Sequence, residues 1–148
     1  MANNKKPTAD VKRMLQAVRH ANTNINRISD LLKIIRSRAE KVTTSYSDAP
    51  AGGHNPDSRA DTIAKLVDLE RQQQQYMREW CQAIVDVQVV ISWLDDPTER
   101  AVLEHRYINC EDWLSISFTL NYSVQHIYRI HGVALYKLSL KLRNDERK

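Results

Sequence analysis

A repeat of apolar residues near the start of the chain limits what this protein can fold into. Apolar or small residues recur at steps of three or four, at Val11, Met14, Val18, Ala21, Ile25, Ile28, Leu32, Ile35 and Ala39. This heptad spacing is typical of a long helix that buries one narrow stripe against another helix. We therefore predict one helix over residues from about 9 to 40.

A second stripe with similar spacing predicts the partner of this helix. It consists of Ile63, Leu66, Leu69, Gln73, Met77, Trp80, Ile84, Val87, Ile91 and Leu94, which predicts a helix from about 58 to 94 and a loop over 41–57. Residues 1–41 carry ten Lys and Arg against three Asp and Glu, whereas 57–96 carry four against eight. Opposite charge favours an antiparallel, coiled-coil-like hairpin within residues 1–96.

Two other interpretations of these helices stay open. The basic first helix could bind phosphate or an acidic protein instead of serving only to pair with the second helix. The heptads would also fit a homodimer, in which the stripes join two chains rather than two helices of one chain.

The pattern changes to short helices after Asp96. A helix start is indicated by Asp96 as the cap, Pro97 at the first helical position and Glu99 at the third. These residues predict a helix from Pro97 to about Tyr107. Asp112 can cap a second helix and Ser123 a third. Three helices in about fifty residues, with a short turn before the last, predict a helix-turn-helix domain over residues 97–148. The predicted fold class is all-α.

The last helix, predicted over 124–138, carries side chains suited to base recognition in the major groove. Its inner face would be formed by Ile127, Ile130, Ala134 and Leu138, with His131 and Leu135 at the border. Arginine can bond to guanine, glutamine to adenine, and valine can touch a thymine methyl group. Asn121 would take a positive φ in the turn. The predicted DNA-binding residues are Ser123, Val124, Gln125, His126, Tyr128, Arg129, Lys137 and Arg143, the last two as phosphate contacts.

Several motifs resemble a known group of regulators. RYIN at 106–109, WLSISFTLNYS at 113–123, HIYRIH at 126–131 and ALYKL at 134–138 resemble the region-4-like helix-turn-helix of sigma factors. They are similar to those of the ArpU- and RinA-like regulators of phages and prophages in Gram-positive bacteria. Residues 41–70 are similar to the middle of the same group. In this group glycine tends to stand at the positions of Cys110 and Asn121, and alanine at that of Ser117.

The resemblance implies a role in transcription. It implies sequence-specific regulation of phage or prophage genes in the cytoplasm of a bacterial host, through double-stranded DNA and through contact with RNA polymerase. It also implies that Val124, Gln125, Tyr128 and Arg129 meet the DNA, because sigma-like modules use the start of the last helix for this purpose.

Other classes of function find little support in the sequence. The spacing of His105, Cys110, His126 and His131 matches no zinc signature, and no glycine-rich phosphate loop is present. We therefore predict no catalytic residues, no metal and no cofactor. Because no apolar run follows Met1, we expect neither a signal peptide nor a membrane span. Cys81, beside the second stripe, is expected to be buried.

Two alternatives to a transcription regulator are kept. One is a helical adaptor that binds a protein partner without reading DNA. The other is a small terminase-like DNA-packaging protein, since such proteins also join a helix-turn-helix to coiled helices. An oligomer of ring size would favour packaging, whereas a monomer or dimer would favour regulation.

Overall fold

Two helices of 37 residues make up the first half of the protein. The computed structural model describes residues 8–44 and 56–145, and every element in these ranges is helical. Helix α1 spans Thr8–Thr44 and α2 spans Pro56–Ser92. The predicted all-α fold with a long helical hairpin is confirmed. The predicted loop lies largely outside the described residues.

The start of α1 packs against the end of α2. The buried residues of this contact are Val11, Leu15 and Val18 from α1, Val87, Val90 and Ile91 from α2, and Leu94 just after the end of α2. Each of these side chains is at most 5% exposed. Because the first turns of one helix meet the last turns of the other, the two helices run antiparallel. Residues 8–20 and 80–145 form one compact unit that contains this core.

A second compact unit consists of residues 21–44 and 56–79. Here the apolar stripe of α1 is buried at Ala21, Ile28 and Leu32. Gln73, the one polar member of the predicted α2 stripe, donates a hydrogen bond to the Ser29 hydroxyl at 2.9 Å. Arg36 forms an ion pair with Glu70 at 2.5 Å. The polar stripe position is thus satisfied by a polar partner rather than buried without one.

Two predicted members of the α2 stripe are wrong. Ile63 and Met77 are 56% and 42% exposed, while their neighbours Thr62 and Tyr76 are partly buried instead. A helix turns by about 100° per residue. A stripe inferred from steps of three or four can therefore be displaced by one residue wherever an adjacent side chain is equally able to pack.

Three short helices follow the hairpin. Helix α3 spans Pro97–Leu103, α4 spans Trp113–Leu120 and α5 spans Val124–Asp145. As predicted, Asp96 caps α3, because its carboxylate accepts hydrogen bonds from the backbone N–H groups of Thr98 and Glu99. Both hydrogen bonds lower the pKa of Asp96, and the bond from Glu99 has the larger effect.

The helix predicted from Pro97 to about Tyr107 is α-helical only as far as Leu103. Residues Glu104–Ile108 form a π-helical turn, in which the N–H of Asn109 bonds to the carbonyl of Glu104 at 3.0 Å. The turn places Tyr107 in the core, only 2% exposed. Cys110 follows with a φ of 59°, a conformation that glycine adopts most easily.

We expect Ile28→Asp to lower the free energy of unfolding by about 3 kcal/mol, because a carboxylate would be buried without a partner. Chemical denaturation would measure the loss. If the stripe packs within one chain, the loss will be the same at every protein concentration. Leu31→Asp is the matched control, since Leu31 lies on the same helix but is exposed; equal losses in both variants would contradict the assigned face.

Candidate nucleic-acid interface

The turn between α4 and α5 has the geometry that its sequence predicts. Asn121 ends α4 in the left-handed conformation, with φ 58° and ψ 42°. The N–H of Tyr122 bonds back to the carbonyl of Ser117 at 3.0 Å. The hydroxyl of Ser123 accepts the backbone N–H of His126 at 3.2 Å and so caps α5. These bonds join the two helices through only three residues.

A small hydrophobic core holds the three short helices together. Val102 of α3, Ile116 of α4 and Ile127 of α5 are fully buried against each other. Trp113, Leu120 and Ile130 pack around them, partly buried. One buried residue from each helix thus fixes how the start of α5 lies on its two neighbours.

The next turns of α5 enter the core at the base of the hairpin. Ala134, Leu135 and Leu138 belong to the same buried cluster as the ends of α1 and α2. The inner face was predicted correctly at Ile127, Ala134 and Leu138, whereas Ile130 is only partly buried. His131 and Leu135, which were expected at the border, are buried as well.

The predicted DNA-reading residues occupy the opposite side of α5. Gln125 and Arg129 are exposed, one turn apart, and Tyr128 is half exposed. Val124 and His126 are partly buried at the flanks. The ring of Tyr128 packs against Trp113 with 4.8 Å between centroids, and His126 packs against Tyr122 at 4.9 Å. The two aromatic contacts restrain side chains on either side of Gln125 and Arg129.

The two predicted phosphate contacts differ in their surroundings. The ammonium group of Lys137 lies 2.6 Å from Oε1 of Glu99, whose carboxylate is buried. This hydrogen bond is the main cause of the raised pKa of Lys137. Oε2 of Glu99 has no hydrogen-bond partner among the described residues. Arg143 is exposed in the last turns of α5, so it is the more accessible cation of the two.

A buried hydrogen bond supports α5 from beneath. Nε2 of His131 lies 2.9 Å from the hydroxyl of Tyr107. Burial is the main cause that lowers the pKa of His131 to about 4, and the positive charges of Lys12 and Arg106 lower it further. Burial also raises the pKa of Tyr107. His131 is therefore neutral at physiological pH.

Sequence reasoning missed a group of cations beside Tyr128. Arg106 lies 4.3 Å from the centre of the Trp113 ring and donates to the carbonyl of Glu111 at 2.9 Å. Arg19 of α1 donates to the carbonyl of Arg106 at 2.9 Å. Burial and the charge of Arg19 lower the pKa of Arg106. The sequence contained a usable signal for this group. Lys12, Gln16 and Arg19 are polar and recur at helical spacing beside the apolar stripe of α1.

Within residues 8–44 and 56–145, no three His, Cys, Asp or Glu side chains group together as metal ligands would. None of the helices in these ranges is long and apolar enough to span a bilayer. The expectation that Cys81 is buried is wrong, because its side chain is exposed.

No protein-family model, curated protein or solved structure matches this chain. The function must therefore be inferred from the positions, bonds and charges of the residues themselves. The features with the clearest chemical meaning are the short helix-turn-helix connection and the exposed polar start of α5.

We expect the stability of the protein to fall as the pH is lowered from about 6.5 toward 4, in part because of His131. In this range the unfolded chain binds a proton on this histidine that the folded chain excludes, so acid favours unfolding. His131→Gln keeps a polar side chain without this titration, and thermal unfolding of this variant should depend less on pH than that of the parent.

The control for this experiment is His20→Gln, which replaces an exposed histidine of α1. Both variants keep every carboxylate of the parent, so the difference between the variants isolates the histidine. The assigned role of His131 fails if the two variants have the same pH dependence between about 4 and 6.5.

Proposed function

We propose that the protein is a transcription regulator that binds double-stranded DNA sequence-specifically, with α5 in the major groove. The observation that carries the proposal is the connection from α4 to α5. A left-handed Asn121 and the Ser123 cap bring two packed helices together across three residues, and the second helix begins with exposed polar side chains. This is the arrangement in which helix-turn-helix proteins present a recognition helix.

The exposed start of α5 has suitable chemistry for reading bases. Arg129 can donate two hydrogen bonds to guanine, and Gln125 can pair with adenine in the same groove. Ser123 and the free N–H groups at the start of the helix suit a backbone phosphate. Residues 123–148 carry six Lys and Arg against two Asp and Glu. This excess of positive charge favours binding to the phosphates of any DNA sequence. Arg143 fits a phosphate contact, whereas Lys137 would have to share its charge with Glu99.

The biological setting is proposed from the resemblance described above. The motifs similar to ArpU- and RinA-like regulators point to phage or prophage genes in the cytoplasm of a bacterial host. In this setting the protein contacts host RNA polymerase as well as promoter DNA, and it acts as a homodimer. A regulator of this kind needs no cofactor and catalyses no reaction.

A second candidate function, that of an adaptor for a protein partner, is favoured by one surface. Leu114 and Phe118 lie four residues apart on α4 and are 58% and 77% exposed, and Tyr122 follows in the turn. Exposed apolar side chains that lie next to one another are typical of a surface that contacts another molecule. The same surface would serve a polymerase contact. A DNA-packaging role would instead require assembly into a ring, which solution scattering would detect.

The proposal depends most on Arg129. We expect Arg129→Ala to weaken binding to the preferred DNA site by about 1–3 kcal/mol and to relax preference at one base pair. Footprinting on intergenic DNA of the source phage or prophage would first identify the site, and titration of that site against random DNA would then measure the change.

Arg143→Ala is the matched control, because it also removes one arginine from an exposed position of α5. It should weaken preferred and random DNA alike, by reducing the number of phosphates contacted. If folded Arg129→Ala distinguishes the two DNAs as well as the parent does, α5 is not the reading helix, and the adaptor function becomes the better proposal.

A further inference from the structure

A cavity of about 300 Å³ lies beside α5, between the first turns of α1 and the π-helical turn. Its lining includes Lys12, Gln16 and Arg19 from α1, Arg106 from the π-helical turn, and Tyr128 and His131 from α5. All of these residues belong to one compact unit. Tyr128 lines the cavity and is also half exposed beside Gln125 and Arg129 at the start of α5. It therefore connects the cavity to the proposed reading face.

The charge of this cavity is one-sided. The cationic side chains that line it are those of Lys12, Arg19 and Arg106, and none of the described residues in its wall carries a carboxylate. The nearby carboxylates have other partners: that of Glu111 lies 2.7 Å from Nδ1 of His105, and that of Asp112 accepts from the N–H and hydroxyl of Ser115. The cations also affect one another, because burial first and then the charge of Arg19 lower the pKa of Arg106, and the charge of Asp112 offsets only part of this. Like charges held together in a concave wall attract an anion.

The polar groups of the wall are suited to a tetrahedral oxyanion. Lys12 is exposed and brings a point charge on a flexible stem, which is how lysine binds phosphate. Gln16, one turn further along α1, can donate from its amide. Arg19 and Arg106 are held in place by hydrogen bonds to the carbonyls of Arg106 and Glu111. The arginine charges are thus fixed, while the lysine can adjust to the anion.

We propose that this cavity binds a phosphate of the DNA backbone, so that the first helix of the hairpin clamps the strand bordering the major groove. The inference rests on the proposed function, because it takes α5 to lie in that groove. With Gln125 and Arg129 on base edges, Tyr128 faces the edge of the groove, where phosphates lie. The hairpin base would then contribute to affinity but not to sequence preference.

The test compares Lys12→Ala with Arg13→Ala. Arg13 is the next residue of α1, is exposed and pairs with Asp10, and it does not line the cavity. Each variant loses one positive charge, so a general effect of net charge would be equal in both. Affinity for preferred and random DNA is measured over a range of salt concentrations.

We expect Lys12→Ala to bind both DNAs more weakly and to reduce the slope of log affinity against log salt by about one. Between about 50 and 200 mM salt, the parent should lose about threefold more affinity than this variant. Arg13→Ala should keep the slope of the parent. Equal slopes in the two variants overturn the clamp but leave the proposed function intact, since Arg129 tests that function separately. A parent that binds no DNA overturns both.

A second measurement identifies the phosphate. Neutral methylphosphonate groups are placed one at a time along the preferred site, and binding of the parent and of Lys12→Ala is compared. One position should weaken the parent and leave Lys12→Ala unchanged, because the variant has already lost the partner of that phosphate. If every position affects the two proteins alike, the cavity does not hold a DNA phosphate.

Discussion

Helix α5 is buried by two hydrophobic cores at once, and the position of every surface discussed above depends on this. Its first turns are held through Ile127 against α3 and α4. Its later turns are held through Ala134 and Leu138 against the ends of α1 and α2. A helix fixed at two points along one face cannot rotate about its axis without exposing apolar surface in both cores. Burial of a large side chain such as Ile127 or Leu138 contributes roughly 1.5–3 kcal/mol, so the orientation of the opposite, polar face is strongly determined.

The same arrangement brings the hairpin next to the proposed reading helix. Leu94 and Leu103 belong to a single buried cluster although the predicted domain boundary lies between them, after residue 96. That boundary stays a prediction about the chain, but the core itself continues across it. Because the base of α1 shares this core with α5, Lys12 and Arg19 lie close to His131 and Tyr128. The hydrogen bond between Tyr107 and His131 links the π-helical turn to α5 in the same region.

Local signals in the sequence predicted local structure well. The caps at Asp96, Asp112 and Ser123 are all confirmed, because each depends on a hydrogen bond to an N–H two or three residues away. The left-handed Asn121 is confirmed for a similar reason. The same conformation at Cys110 was missed, although the glycine that the resembling group tends to have there was a signal for it.

Individual polar contacts between distant parts of the chain could not be predicted. The pair of Lys137 with Glu99 spans 38 positions, and the bond from Arg19 to the carbonyl of Arg106 spans 87. Periodicity indicates which side of a helix is apolar but does not identify the polar side chains opposite it. It also cannot choose between adjacent residues that pack equally well, which is why Met77 was wrongly assigned to the core in place of Tyr76. The cavity beside α5 depends on several such contacts.

These contacts change how the positive charge of the protein should be interpreted. Counted by sequence, Lys137 and Lys12 each add one positive charge and are equivalent. In the structure, Lys137 is bound to the buried carboxylate of Glu99, and breaking that pair would leave an uncompensated charge in a poorly solvated position. Lys12 instead lines a cavity together with Arg19, Arg106 and a neutral histidine, and these positive charges would attract an anion. A basic side chain surrounded by other cations is the better candidate for a phosphate contact, even when it lies more than a hundred residues from the proposed reading helix in sequence.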